Sequence, residues 1–102
     1  MAERMRLISW RRLRKGQLLG FAAVELPIGL QLFDVPVLRG QQGVWASLPN
    51  RPEIDDQRRQ RLGLDGKPAY AKIAAWRSKR LEAAFMKRVV ELVRASHPDD
   101  LE

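Results

Sequence analysis

Val35-Pro36-Val37-Leu38-Arg39-Gly40-Gln41-Gln42-Gly43-Val44-Trp45-Ala46-Ser47-Leu48 is the stretch that decides the fold. Val44, Ala46 and Leu48 alternate with Trp45 and Ser47, which is the period of a strand with one buried face. Residues 39–43 hold two glycines free to take positive φ, as a hairpin loop requires. The strand before the loop reaches back over residues 30–38. Gln31, Phe33, Val35 and Val37 fall on one face of it, and Leu30, Leu32 and Asp34 on the other. Pro36 cannot donate to a ladder, so the pattern predicts either an edge position or a bulge there.

Working outward, residues 18–26 read as a strand, with Ala22, Val24 and Leu26 on one face and Phe21, Ala23 and Glu25 on the other. Pro27-Ile28-Gly29 closes it in a tight turn. Residues 4–13 give a further strand, ended by the Lys15-Gly16 turn. Short strands joined by short loops favour an antiparallel meander. Beyond residue 48 the pattern changes. Residues 49–68 read as a loop: acidic at Glu53, Asp55 and Asp56, basic at Arg58, Arg59 and Arg61, and turning at Asp65-Gly66. Residues 69–75 permit a short fifth strand. Ser78 is suited to cap a helix over residues 79–95, which lack Pro and Gly.

On that helix Leu81, Ala84, Phe85, Val89 and Leu92 form one apolar face, and Met86, Val90 and Val93 a second stripe. The first is expected to cover the sheet. The second is expected to meet another copy of the chain, because a core of this size is marginal alone. Residues 96–100 read as a polar tail, and Leu101-Glu102 has the form of a cloning scar and receives no weight. The fold class expected is α+β: an antiparallel meander of four to five strands followed by a C-terminal helix, within one domain over residues 1–100.

The 102 residues carry 19 Lys+Arg against 12 Asp+Glu, a formal charge of +7. Fourteen of the nineteen basic residues are Arg, whose planar fork suits phosphate. A GC-rich genome accounts for Arg over Lys but not for the net excess, which points to a polyanion. There is no Cys, and the one His is His97, so thiol nucleophiles, cysteine metal sites and histidine triads are excluded. Adjacent carboxylates at Asp55-Asp56 and Asp99-Asp100 have no spacing suited to acid–base work or a metal cage. The expectation is therefore no enzyme, no cofactor and no metal. Without an apolar span or a signal-peptide core, the expectation is also no membrane and a cytoplasmic location.

Candidate phosphate contacts are Arg58 and Arg59 in the loop, and Arg11, Arg12, Arg14 and Lys15 at the end of the first strand. The plainer readings are a solvated charge run and a charged edge that blocks aggregation. Trp45 is the best candidate for stacking on a base, ahead of Trp10, Tyr70 and Trp76. The candidate dimer interface is the stripe of Met86, Val90 and Val93, an edge strand, or both.

The order of these features over residues 4–95 resembles the stage V sporulation protein G family of small bacterial proteins. The Arg-rich first strand is followed by Gly20-Phe21-Ala22-Ala23-Val24 and Phe33-Asp34-Val35-Pro36-Val37. Gly40-Gln41-Gln42-Gly43-Val44-Trp45 resembles the family's Gly-Asn-Asn-Gly-aromatic turn, and Ser47-Leu48-Pro49-Asn50-Arg51 its Met-Pro-Ser-Lys/Arg segment. The resemblance implies a homodimer that binds DNA or RNA as a regulator of transcription. It assigns contacts by position to Arg51 and, on the helix, to Lys79, Arg80 and Arg88. The chain departs from the family where Glu53, Asp55 and Asp56 follow Arg51. No role in cell division or sporulation is carried over. The alternative expectation is a protein–protein interaction or scaffold module with no nucleic-acid ligand.

Overall fold

Four strands follow one another in space as they do in sequence. The computed structural model describes residues 4–52, 62, 64, 66 and 70–102. Strands β1 (Arg6–Lys15), β2 (Leu18–Glu25), β3 (Gln31–Gly40) and β4 (Gly43–Ala46) form an antiparallel sheet in the order β1-β2-β3-β4. Helix α1 (Lys79–Ser96) packs across one face of it and buries Phe85, Val89, Val90 and Val93 against Ala22, Val24, Val35, Val37 and Ala46. This is the α+β meander followed by a helix that the patterning indicates. Ser78 caps the helix as expected: its Oγ accepts from Leu81 N at 3.3 Å. Among the described residues, no helix is long and apolar enough to cross a membrane.

The strand boundaries move for local reasons. β4 stops at Ala46 instead of Leu48. Ser47 N donates to Pro36 O at 3.2 Å, but Pro36 has no N–H with which to return the bond, so the ladder ends at the pair Val37↔Ala46. Pro36 therefore sits on an interior strand, where it ends the pairing on one side. The bulge lies two residues earlier. Ala22 pairs with Val35 but Val24 pairs with Leu32, so β3 carries an extra residue, and Asp34 takes φ +56° there.

That extra residue overturns the expected faces of β3. Leu32 joins Val35 and Val37 on the helix side, while Phe33 is turned to the opposite, open face. At the hairpin, Gly43 takes the positive φ of +116°. Gly40 is closely covered instead: a Cβ there would lie 3.2 Å from the indole Nε1 of Trp45, so that ring would have to shift by a few tenths of an ångström. At Gly20 a Cβ would come within 2.5 Å of Arg11 O and 2.6 Å of the Trp10 ring, so this position admits no side chain.

Two short strands were not expected as a pair. β5 (Asn50–Pro52) lies inside the predicted loop and runs antiparallel to β6 (Tyr70–Lys72), with Arg51 opposite Ala71. They form a second, two-stranded sheet.

The helix stripes and the C-terminal residues need the largest corrections. The buried face combines members of both predicted stripes, whereas Leu81 and Ala84 are exposed. Val90 and Val93 lie in the protomer's own core and have no surface left for a partner; Met86 is half-buried beside them. The predicted polar tail turns back instead as a 3-10 helix, η1 (Pro98–Leu101), and Leu101 is buried in the core. Trp10 Nε1 donates to Asp100 Oδ2 at 2.9 Å, and Arg12 Nε lies 3.6 Å from Asp100 Oδ1. Arg14 Nη2 donates to the backbone oxygens of Asp99, Asp100 and Glu102, and Arg39 Nη2 to that of Leu101.

Candidate nucleic-acid interface

The outer face of α1 is built by a seven-residue repeat. Arg80, Lys87 and Arg94 differ by seven positions, two turns of helix, so they share one face at ~10.5 Å intervals. All three are exposed, and among the described residues none has a carboxylate within 4.0 Å. Glu91 shares this side, but its Oε2 lies 3.7 Å from Arg88 Nη1. Lys79 Nζ lies 4.0 Å from Glu82 Oε1 at the first turn. Of the three helix residues assigned by resemblance, Arg80 is thus open, while Arg88 and Lys79 are matched by acids on their own helix. Sequence reasoning left Lys87 and Arg94 out of the site. The heptad spacing from Arg80 was the signal that could have found them.

The cations of β1 divide by face. Arg12 and Arg14 point to the helix side and hold the C-terminal turn, so they are not open to phosphate as they stand. Arg11 points to the open side, with its Cζ 5.2 Å from the centre of the Phe21 ring and Nη2 4.0 Å from Asp34 Oδ1. At the strand's start, Arg6 Nε donates to Glu25 Oε2 at 3.0 Å; this bond and a second from Gln31 hold the Glu25 carboxyl below its ordinary range.

Trp45 also lies on the open side, because it pairs with Leu38 and its indole rests over Gly40. It borders a cleft of about 440 Å³ between the end of β4 and the start of α1, where Trp76, Arg77 and Lys79 also take part. Trp76 packs its ring 5.1 Å from that of Phe85, and its Nε1 is buried without a hydrogen-bond partner among the described residues. Arg51 lies on β5, and Arg58 and Arg59 lie outside the described residues. Among the described residues, no group of three or more His, Cys, Asp or Glu could hold a metal ion.

Comparison with protein-family models, with curated proteins and with solved structures found no match.

Proposed function

We propose that the protein binds nucleic acid through phosphate contacts and acts as a small regulatory protein. The observation that carries this reading is the Arg80–Lys87–Arg94 row: three exposed cations on one helix face, unmatched by described carboxylates, on a chain of net charge +7. A solvated structural helix generally sets its charges in opposite-sign pairs, as Lys79–Glu82 and Arg88–Glu91 are set here. A row of one sign spanning ~21 Å is suited to a polyanion. The resemblance in motif order adds support, and Arg51, Arg58 and Arg59 belong to the proposal as further contacts.

Titration of labelled duplex DNA, single-stranded DNA and RNA across a salt series tests it. Each phosphate neutralised on duplex DNA contributes about −0.9 to the log–log salt slope. The combined variant Arg80→Ala, Lys87→Ala, Arg94→Ala should therefore flatten the duplex slope by about 2–3 and weaken binding to all sequences alike. Its fold should be unchanged, since all three side chains are exposed. Absence of binding to every nucleic acid at low salt would reject the reading in favour of a protein–protein interaction module.

A homodimer is the second part of the proposal, through an edge strand, since Val90 and Val93 of the helix stripe are buried within the protomer. β1 ends the sheet with ten residues, and no described strand takes up its outer backbone groups. Pairing of two β1 edges across a two-fold axis would satisfy those groups and join the charge of two copies. Light scattering should then give about 23 kDa, twice the 11.7 kDa chain. A mass of one chain would reject the dimer and leave the binding reading standing.

A further inference from the structure

The sheet has a second face that no described element covers. Cross-strand partners share a face, so the pairs Ser9↔Ala23, Arg11↔Phe21, Phe21↔Pro36, Leu18↔Leu38 and Leu38↔Trp45 define it, on the side away from α1. The bulge at Asp34 adds Phe33 to this face. It is unusually apolar for a surface: Phe33 is 57% exposed, Leu13 44% and Trp45 38%. Three aromatic rings, one from each of β2, β3 and β4, form a triangle with Phe21 at its apex. At ~4.8 Å between strands and ~3.3 Å per residue, Trp45 is ~12 Å from Phe21 toward one end of the strands, and Phe33 is ~8 Å from it toward the other end.

We infer that this face is a stacking platform for single-stranded nucleic acid, with bases laid on Trp45, Phe21 and Phe33. The inference rests on the nucleic-acid reading above and assigns it a strand preference and a second surface. Between Phe21 and Phe33 lies a shallow cavity of about 160 Å³, with Arg11 and Asp34 at its rim. A base lying there meets an aromatic ring, guanidinium donors and a carboxylate acceptor, which suit its π-face and its polar edge. Arg11 already sits over Phe21, an arrangement that extends the stacking surface beyond the ring. Lys15, exposed and paired with Leu18, adds a cation at the other end of the face. Charge also decides against a second copy as the occupant. Two of these faces in contact would bury Arg11 and Lys15 of both copies between chains of charge +7 each. A polyanion with unstacked bases meets both features of the face, its charge and its rings. A duplex keeps its bases inside and cannot use the rings, so the preference is for single strands.

The test compares a labelled 12-nucleotide oligothymidine with a 12-base-pair duplex, both read by anisotropy. Phe33→Leu with Trp45→Leu keeps apolar bulk but removes two π-faces. Loss of about 5-fold or more per ring makes the expected weakening on the single strand at least about 25-fold, with duplex affinity and both salt slopes unchanged. Phe33→Tyr with Trp45→Phe, which keeps the rings, should restore most of the binding. Circular dichroism and the urea midpoint identify any variant that has lost its fold, and the ring-keeping pair then decides alone: less than 2-fold weakening supports the platform, and as large a loss as a helix-row variant overturns it. If the wild type binds both oligonucleotides and the Leu pair changes neither, the platform is overturned and the phosphate reading stands. If the wild type binds neither, both fall. If the Leu pair instead converts a two-chain species into single chains, the face holds a second copy and the inference is wrong.

Discussion

Phe85→Ala is expected to destabilise the protein by about 3–5 kcal/mol, the range for a buried Phe truncated in a core that cannot collapse around the gap. Phe85 is buried between helix and sheet, the first of the four buried residues of α1, with its ring against Trp76. Against a total stability of about 5–15 kcal/mol for a domain of ordinary size, such a loss is a large share of the whole. With a urea slope of ~1–3 kcal/mol/M, the midpoint should fall by on the order of 2 M. Leu81→Ala is the informative control. Leu81 and Phe85 are one turn apart and belong to the same stripe by spacing, yet Leu81 is exposed. Its truncation should cost less than about 1 kcal/mol. Equal losses at both positions would mean that the helix is rotated from the orientation described here.

The contrast between those two residues shows how far spacing alone can be read. The helix was legible in its length, in its cap at Ser78 and in being amphipathic. Its rotation was not, because residues 81–93 offer two overlapping apolar stripes and a helical period does not say which arc faces the sheet. The sheet settles that, by presenting Val35, Val37 and Ala46 to the arc that contains Val89, Val90 and Val93.

The strands behave similarly. Alternation correctly divides Ala22 and Val24 from Phe21 on β2, because the residues inserted beside that stretch lie on its neighbours β1 and β3 and not on β2 itself. It fails on β3, because one inserted residue at Asp34 reverses the faces of everything before it. Asp tolerates the left-handed conformation better than most residues, but sequence patterning has no means of counting an insertion within an otherwise regular run. The consequence bears on function, since the bulge is what turns Phe33 out onto the open face. The helix row at Arg80, Lys87 and Arg94 was available from spacing; the partners of Arg12, Arg14 and Arg88 were not. They lie in η1, 85 or more positions from β1, or depend on which of two neighbouring acids a side chain meets.

Leu101→Ala is expected to cost about 2–5 kcal/mol, as other buried Leu truncations do. No pattern in the sequence marks this residue: it follows Pro98-Asp99-Asp100 in a segment with no apolar neighbours. Its burial is imposed from outside the segment. Arg14 and Arg39 donate to backbone oxygens of η1, and Trp10 donates to Asp100, so the turn is held against β1 and β3 and Leu101 is directed into the core beside Val93. Each donor is also supplied with an acceptor by the arrangement. Removing the Asp100 carboxylate leaves the part-buried Trp10 N–H unpaired, which costs about 1–3 kcal/mol. Urea denaturation of Leu101→Ala and Asp100→Ala should therefore show two separate losses, the first larger. Both should leave the oligothymidine affinity of the folded protein unchanged, because neither residue lies on the open face or on the helix row. A Leu101→Ala midpoint equal to that of the wild type would show that the C-terminal turn is not part of the core.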